Sequence, residues 1–389
     1  MKLKSNFLKI QLQPIAICLL GLIVGILSYI YLEFYTSIIL LLFICFSLLV
    51  LFFLNKISFK MLILFSIYNL GFITGYIRTY IVNKNHKDII EKTINKTANI
   101  YGLVYFKQQN NTDNFFKNKI FIKIDKISIK NNNNKEIINT NYTVKINYPD
   151  FNLNNLNNIT EGNYIKIKDI NLIKKRQNTD FLIAQNCLCN LFLSKIDYKI
   201  INKKFSFLRR IWLKIIITRQ NLLNRLNKKL TGITKTLFNY IFLGIPEDSN
   251  NANKLKQYAI YWGISHYLAR SGLHLVMIIF IWSLLFRFVP IRYNLKKIIV
   301  LFLSLIYGFL TIKSISFNRA FLTIIIYNIC DLKKLAINSI HVINMVCFVN
   351  LLSNPYKLFL LDFQLSFILT FIICYIRDLK FRAILTQKT

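Results

Sequence analysis

Long apolar runs, separated by short basic loops, occupy the first and last parts of the chain. Residues 14–32 and 34–54 are each close to the roughly 20 apolar residues that a membrane-spanning helix needs, and a third run covers residues 61–82. The pattern predicts three spans in residues 1–82 and further spans in residues 235–389.

Residues 83–202 interrupt this pattern with a polar, β-branched sequence. They contain ten of the sixteen acids of the chain, and Asn-rich turns separate their runs of alternating apolar and polar residues. Alternation with a period of two predicts β-strands. The predicted strands are 98–106, 120–129, 143–147, 164–173 and 181–184. Several short strands with polar turns favour a small β-barrel or a sandwich.

Positive charge is distributed unequally between the predicted loops. The loop after the first predicted span carries Glu33, whereas the loop after the second carries Lys56 and Lys60. Lys-rich and Arg-rich short loops stay in the cytoplasm. The N-terminus is therefore predicted to be cytoplasmic and the β-rich insert to be external.

A basic segment without acids follows the insert. Eleven Lys or Arg and no acid lie between Tyr198 and Pro246, although part of the net charge of +35 reflects the Lys-rich and Asn-rich composition of an AT-biased genome. Apolar residues at helical spacing in residues 203–234 predict a basic amphipathic helix. The residues predicted to contact lipid or the DNA backbone are Arg209, Arg210, Lys214, Arg219 and Arg225. Such a helix can lie on anionic lipid or hold a DNA backbone; the sequence favours lipid and leaves DNA open.

A polar block at the start of an apolar run is the strongest candidate for a functional site. It contains His266, Arg270, Ser271, Gly272 and His274. Ionisable groups at membrane depth are costly, so they usually face a water-filled path or a helix interface; both alternatives stay open. A hydrolase that uses Ser271 and His274 would need a carboxylate to orient the base, and none lies nearby. We therefore predict no catalytic residue, metal or cofactor.

A second polar cluster lies on the last apolar run, residues 358–376. Asp362 and Ser366 are four residues apart and share one helical face, with Gln364 beside them. Arg319 could pair with Asp362, because an Arg inside a span needs a partner or water. We include these four residues among those predicted to line a pathway through the membrane, and call the whole set the predicted pathway residues.

Several of these residues belong to blocks that resemble the ComEC-type competence proteins. The blocks are Phe242-Leu243-Gly244, His266-x-x-Ala269-x-Ser271-Gly272-x-His274, Asn318-Arg319-Ala320, Asn354-Pro355 and Phe363-Gln364-Leu365-Ser366-Phe367. Members of that family are channels that carry single-stranded DNA across the cytoplasmic membrane during natural transformation. Many of them end in a metallo-β-lactamase-like domain, but this chain has no His-x-His-x-Asp motif.

The resemblance implies a polytopic α-helical membrane protein with an inserted external small β-barrel of OB-like form. The expected domains are residues 1–82 (three transmembrane helices), 83–202 (OB-like domain), 203–234 (basic helix) and 235–389 (channel domain, for which truncation is an open alternative). The implied function is an inner-membrane channel subunit for uptake of single-stranded DNA. A membrane-bound nuclease or hydrolase, or a non-transporting remnant, remains an alternative.

The expected partners are single-stranded DNA, membrane lipids and a DNA-receptor protein. A cytoplasmic motor is also expected, because the sequence has no phosphate-binding Walker A loop. A homo-oligomer is compatible with the sequence. The expected location is the bacterial inner membrane.

Overall fold

The computed structural model describes most of the chain in segments. They are residues 14–32, 59–93, 96–108, 118–130, 135–148, 159–171, 179–192, 197–201, 203, 205–239, 250–263, 272–290, 292–310, 315–333, 335 and 338–387. The chain divides into two compact units, one of Met1–Asn85 with Leu322–Thr389 and the other of His86–Phe321.

Helices account for most of the described residues. In chain order they are α1 (Pro14–Tyr31), α2 (Phe59–Thr93), α3 (Thr179–Ala184), α4 (Phe207–Lys229), α5 (Gly232–Phe238), α6 (Asn250–Tyr261), α7 (Gly272–Leu285), α8 (Tyr293–Leu310), α9 (Ile315–Leu332), α10 (Ser339–Ser353) and α11 (Leu361–Gln387), with a 3₁₀ helix at Pro355–Phe359.

The second unit contains a seven-stranded mixed sheet. Its strands are β1 (Thr97–Gln108), β2 (Asn118–Lys130), β3 (Lys135–Asn139), β4 (Thr143–Tyr148), β5 (Tyr164–Asn171), β6 (Cys187–Phe192) and β7 (Tyr198–Ile200). They lie in the order β6-β4-β2-β1-β5-β7, and β3 pairs with β2 beside β4. The β4–β6 pair is parallel and the other pairs are antiparallel.

The core of this unit lies on one face of the sheet. Because successive strand residues point to opposite faces, Ile120, Ile122 and Ile124 on β2 enter the core together, and each is no more than 1% exposed. Val144 and Ile146 on β4 join them. Ile89, on the last turns of α2, also packs into this core, so the end of α2 is anchored to the sheet.

In the first unit, α1 and α2 run parallel and touch through glycines. A Cβ built on Gly71 would overlap the carbonyl oxygen of Cys18, and one built on Gly75 would overlap that of Leu22. Gly21 and Gly25 meet the backbone of α2 in the same way. The two Gly-x-x-x-Gly pairs thus let the helix backbones touch directly.

The prediction of a closed barrel is wrong. β6 and β7 are the two ends of an open strand order. Residues 181–184, predicted as a strand, belong to helix α3, and the strand that follows, β6, extends the sheet by pairing in parallel with β4. Among the described strands, β6 pairs with β4 at one end of the sheet and β7 pairs with β5 at the other end, so the sheet is open.

The prediction of a polytopic helical protein is also contradicted. In the part of the chain that the structure describes, one helix, Pro14–Tyr31, has the length and apolar composition to cross a membrane, while His274–Leu285 and Ser339–Ser353 are shorter apolar helices. At 1.5 Å per residue, the 14 residues of α7 give about 21 Å, less than the roughly 30 Å hydrocarbon core. The predicted span at 34–54 lies outside the described residues.

Candidate nucleic-acid interface

The second face of the sheet is polar, basic and aromatic. Lys119, Phe121 and Lys123 alternate with the buried isoleucines of β2 and therefore point away from the core. The neighbouring strand β4 places Lys145 opposite Phe121 and Thr143 opposite Lys123.

Helix α4 covers one part of this face. Leu213 and Ile216 pack with Leu103 of β1 and Tyr164 of β5, and all four side chains are buried. Trp212 lies at the margin of this contact and is only partly buried. The apolar side of the basic helix is thus engaged with the sheet.

Two arginines of α4 are neutralised by carboxylates of the β-domain. Arg209 forms an ion pair with Asp125, and Lys203 Nζ lies 3.3 Å from the same carboxylate. Arg219 Nη2 lies 3.0 Å from Glu161 Oε2, and both side chains are largely buried. The backbone N–H of Lys107 donates to the other Glu161 oxygen at 3.1 Å. Because burial of an unpaired charge is costly, these pairs fix α4 on the sheet.

The other part of the face, across β2 and β4, combines cations with aromatic rings. Lys145 Nζ lies 5.7 Å from the centroid of the Phe121 ring, which in turn lies 6.0 Å from the ring of Tyr105. Lys123 Nζ lies 5.5 Å from the Trp212 ring. All five side chains are partly exposed, so a ligand can reach them. We call Lys119, Phe121, Lys123 and Lys145 the β2–β4 face.

Its electrostatics favour an anion. Burial is the main cause that lowers the pKa of Lys145, and the nearby Lys119 ammonium lowers this pKa further, while Cys187 opposes the shift. A like charge disfavours the charged form of its neighbour, so an anion placed between the two lysines would relieve their repulsion. Asp125 and Glu161 are already paired with Arg209 and Arg219.

Three of the predicted pathway residues, His266, Arg270 and Ser271, lie outside the described residues. Gly272 begins α7 and is buried, and a Cβ built on it would lie 2.6 Å from the Cβ of Ala320 on α9. His274, one half-turn further along α7, is partly buried. The structure therefore brings together two blocks that are 48 residues apart in the sequence, Ser-Gly-x-His and Asn-Arg-Ala.

Aromatic packing joins α7, α8 and α9 around this contact. Phe317 is fully buried and stacks on Phe321 with ring centroids 6.0 Å apart. Tyr307 lies 6.0 Å from Phe317 and 6.4 Å from Trp282. Arg319, on the same helix as Phe317, is partly exposed. The residues around Arg319 are thus held in a closely packed three-helix contact.

The remaining predicted residues lie in the first unit, at the start of α11. Asp362 and Gln364 are exposed and Ser366 is partly buried. Gln364 Nε2 donates to the carbonyl of Leu358 at 2.9 Å, which ties this side chain to the end of the 3₁₀ helix. Because Arg319 and Asp362 belong to different units, their pairing stays a prediction.

The Asn-Pro block has a clear local role. Asn354 is buried, and its Oδ1 accepts a hydrogen bond from the Tyr356 N–H at 3.1 Å. Pro355 follows as the first residue of the 3₁₀ helix, a position that needs no N–H donor. The block thus ends α10 and starts the next helix.

Sequence reasoning missed Arg78, which contacts the same turn. Its Nε donates to the Leu352 carbonyl at 2.8 Å and its Nη2 to the Ser353 carbonyl at 3.2 Å. These are among the last carbonyls of α10, which lack helical partners and attract cations. An arginine inside the apolar run 61–82 was the available signal.

No cluster of three or more His, Cys, Asp or Glu with metal-binding geometry occurs among the residues that the structure describes. We therefore assign no metal ligands in those segments.

Comparison with known proteins gives one match. Residues 245–386, just over a third of the chain, match the family model described as competence protein. No curated protein and no solved structure matches the chain. The match contains the polar block, the Asn-Arg-Ala, Asn-Pro and Phe-Gln-Leu-Ser-Phe blocks, and helices α6 to α11. Residues 245–386 of this chain therefore form a competence-protein domain, which is consistent with a ComEC-type competence protein.

Proposed function

We propose that this protein binds single-stranded DNA on the β2–β4 face and is a subunit of the conduit that passes the strand across the cytoplasmic membrane. The observation that carries the proposal is the row of Lys119, Phe121 and Lys145 on the half of the sheet face that α4 leaves open. Lysines capture the phosphate backbone, and exposed rings stack on unpaired bases, which a duplex does not present.

The match of residues 245–386 to the competence family supports a role in DNA uptake. The polar residues of this domain, among them His266, Arg270, Ser271 and His274, would face the strand or position the helices around it. We propose that the N-terminus is cytoplasmic and that the β-domain is external, since Lys2, Lys4 and Lys9 precede α1 and positive residues stay inside.

Two further partners belong to this proposal. A receptor would deliver DNA to the β-domain, and a cytoplasmic motor would pull the strand, because the sequence has no Walker A loop. We also propose that copies of the chain associate to form the conduit.

DNA binding is tested with the full chain in detergent and fluorescent oligothymidylate. We expect Lys119→Gln/Lys145→Gln to weaken binding about tenfold and to reduce the slope of log K against log salt by about 0.7 for each phosphate that the variant no longer neutralises. Phe121→Leu should cost about 1–3 kcal/mol with little change in the salt slope.

The matched control is Lys87→Gln/Lys254→Gln, which removes the same charge from exposed positions on α2 and α6. An unchanged thermal midpoint shows that each variant is folded. The proposal is wrong if both double variants bind oligothymidylate as the wild type does, or if a duplex of equal length binds as tightly as the single strand.

Transport is tested in a strain that lacks the gene. The wild-type chain should restore entry of fluorescent DNA into the cytoplasm, whereas His274→Ala should restore less than a tenth of it. Ser271→Ala should also lower DNA entry, because the proposal places Ser271 in the pathway, but it should leave any hydrolytic activity unchanged, because the proposal gives Ser271 no catalytic role. A hydrolytic activity that this variant abolishes, with DNA entry intact, would instead support an enzyme. Full restoration by His274→Ala would remove His274 from the pathway.

A further inference from the structure

The surface of α4 that faces away from the sheet carries two parallel stripes. At 100° per residue, Arg210, Lys214 and Arg225 fall within one sector of the helix and are exposed. The adjoining sector holds Ile211, Ile215, Leu222 and Leu226, of which Ile211 is 45% exposed and Leu222 40% exposed. The helix has no acidic residue anywhere in its 23 residues.

These cations differ from the two arginines that face the sheet. Arg209 and Arg219 are neutralised by Asp125 and Glu161. Among the described residues, by contrast, no carboxylate pairs with the three outward cations. Arg210 Nε donates a hydrogen bond to the backbone carbonyl of Phe205 at 3.0 Å, and this neutral acceptor leaves the arginine charge uncompensated. The outward surface therefore keeps its full positive charge.

A second apolar surface adjoins this one. Helix α8 contacts α4, and its exposed apolar residues recur at helical spacing. They are Leu295, Ile298, Phe302 and Ile306, each at least 40% exposed. Arg292 and the partly exposed Lys296 lie at the start of the same helix. Together α4 and α8 present apolar stripes bordered by cations.

We propose that the outward surface of α4 binds anionic phospholipid at the membrane interface. Apolar side chains of such a helix enter the boundary of the acyl chains, while Lys and Arg extend to the headgroups. Each basic residue near an anionic leaflet adds attraction. The surface is separate from the β2–β4 face, so the inference goes beyond the proposed function.

DNA fits this surface less well than lipid. One exposed aromatic ring, Phe207, lies in the sector of the cations at the first turn of α4. The outward positions from residue 210 to 226 carry none, so this surface has no row of rings on which successive unpaired bases could stack. The apolar stripe would stay in water beside a bound strand, whereas a bilayer would bury it. We therefore assign anionic lipid to the outward surface of α4 and single-stranded DNA to the β2–β4 face.

The test uses the full chain in detergent micelles with phosphatidylglycerol or phosphatidylcholine at equal mole fraction. Phosphatidylglycerol should raise the thermal midpoint of the wild type above that in phosphatidylcholine. Arg210→Ser/Lys214→Ser/Arg225→Ser should weaken the apparent affinity for a fluorescent phosphatidylglycerol about tenfold or more and should abolish the difference in midpoint.

The control triple variant is Lys126→Ser/Lys168→Ser/Lys199→Ser, which removes three exposed lysines from the sheet and should respond to lipid as the wild type does. Oligothymidylate binding is measured for both. The proposal is overturned if the two triple variants lose lipid affinity equally. It is also overturned if the α4 variant keeps its response to phosphatidylglycerol and loses DNA binding, which would make the surface a DNA site.

Discussion

At the scale of single residues, His86 shows how the end of α2 is joined to the sheet. It is 1% exposed, and its Nε2 lies 3.4 Å from the carbonyl of Cys187. The Tyr142 ring packs edge-on against the imidazole at 5.4 Å. Burial lowers the pKa of His86, and the Cys187 carbonyl only partly opposes this shift. The folded domain therefore holds His86 neutral.

This burial predicts that the β-domain loses stability in mild acid. The unfolded chain binds a proton near the ordinary pKa of about 6.5, and the folded chain resists it, so stability is fully present above that pH and falls as the pH decreases through it. We expect a lower thermal midpoint of the full chain at pH 5.5 than at pH 7.5, and a smaller difference for His86→Gln.

His341→Gln is the matched control, since it removes a partly exposed histidine from another helix. An equal dependence on pH in the wild type and in His86→Gln would show that other groups cause the acid sensitivity.

The sequence predicted residue types better than residue partners. The acid-free helix was recognisable, but Arg209 and Arg219 find carboxylates 84 and 58 residues earlier in the chain. Helical periodicity identifies a face and not what covers it. The separation of five basic residues into two neutralised and three outward ones therefore required the structure.

At the scale of elements, the contact between α1 and α2 depends on the absence of side chains. Gly71 faces the carbonyl of Cys18, and Gly21 faces that of Tyr68. Since the obstacle is backbone, no rotamer change can make room for a methyl group. The two Gly-x-x-x-Gly pairs are a sequence signal for such close approach, because that motif acts through sterics alone.

We expect Gly71→Ala to destabilise the first unit. Alanine gains about 1 kcal/mol of helix propensity over glycine, but overpacking against backbone costs about 1–3 kcal/mol and also separates the neighbouring side chains along both helices. The variant should show faster tryptic cleavage within the first unit and a lower thermal midpoint in detergent.

Ile73→Ala is the control on the same helix, because Ile73 is 46% exposed and should tolerate truncation. If Gly71→Ala matched it in protease resistance and midpoint, the two helices would not touch at the glycines.

Strand prediction succeeded where alternation was long. β1, β2, β4 and β5 were predicted within about two residues at each end. The run 181–184 was mistaken for a strand, since four apolar residues have no distinguishing period. β3, β6 and β7 were missed; β7 has three residues, and β6 is defined by its parallel partner β4.

At the scale of the whole molecule, the sequence was a better guide to family than to architecture. The ordered motif blocks led to the competence domain at 245–386. Among the described residues, the same apolar runs overstated the number of candidate spans, because hydropathy counts residues and takes no account of where helices end. By composition, residues 315–319 belong to a polar connection between two short apolar segments. In the structure they are helical, since α9 begins at Ile315.

The contact of Arg78 with the end of α10 has a consequence for the order of folding. The two partners are 274 residues apart, and the first unit contains both ends of the chain. During synthesis, the second unit has all its residues once Phe321 has been made. Helices α1 and α2 must wait for α10 before Arg78 finds its carbonyls. Helices α1 and α2, which are made before the second unit, are thus among the last elements of this chain to reach their final contacts.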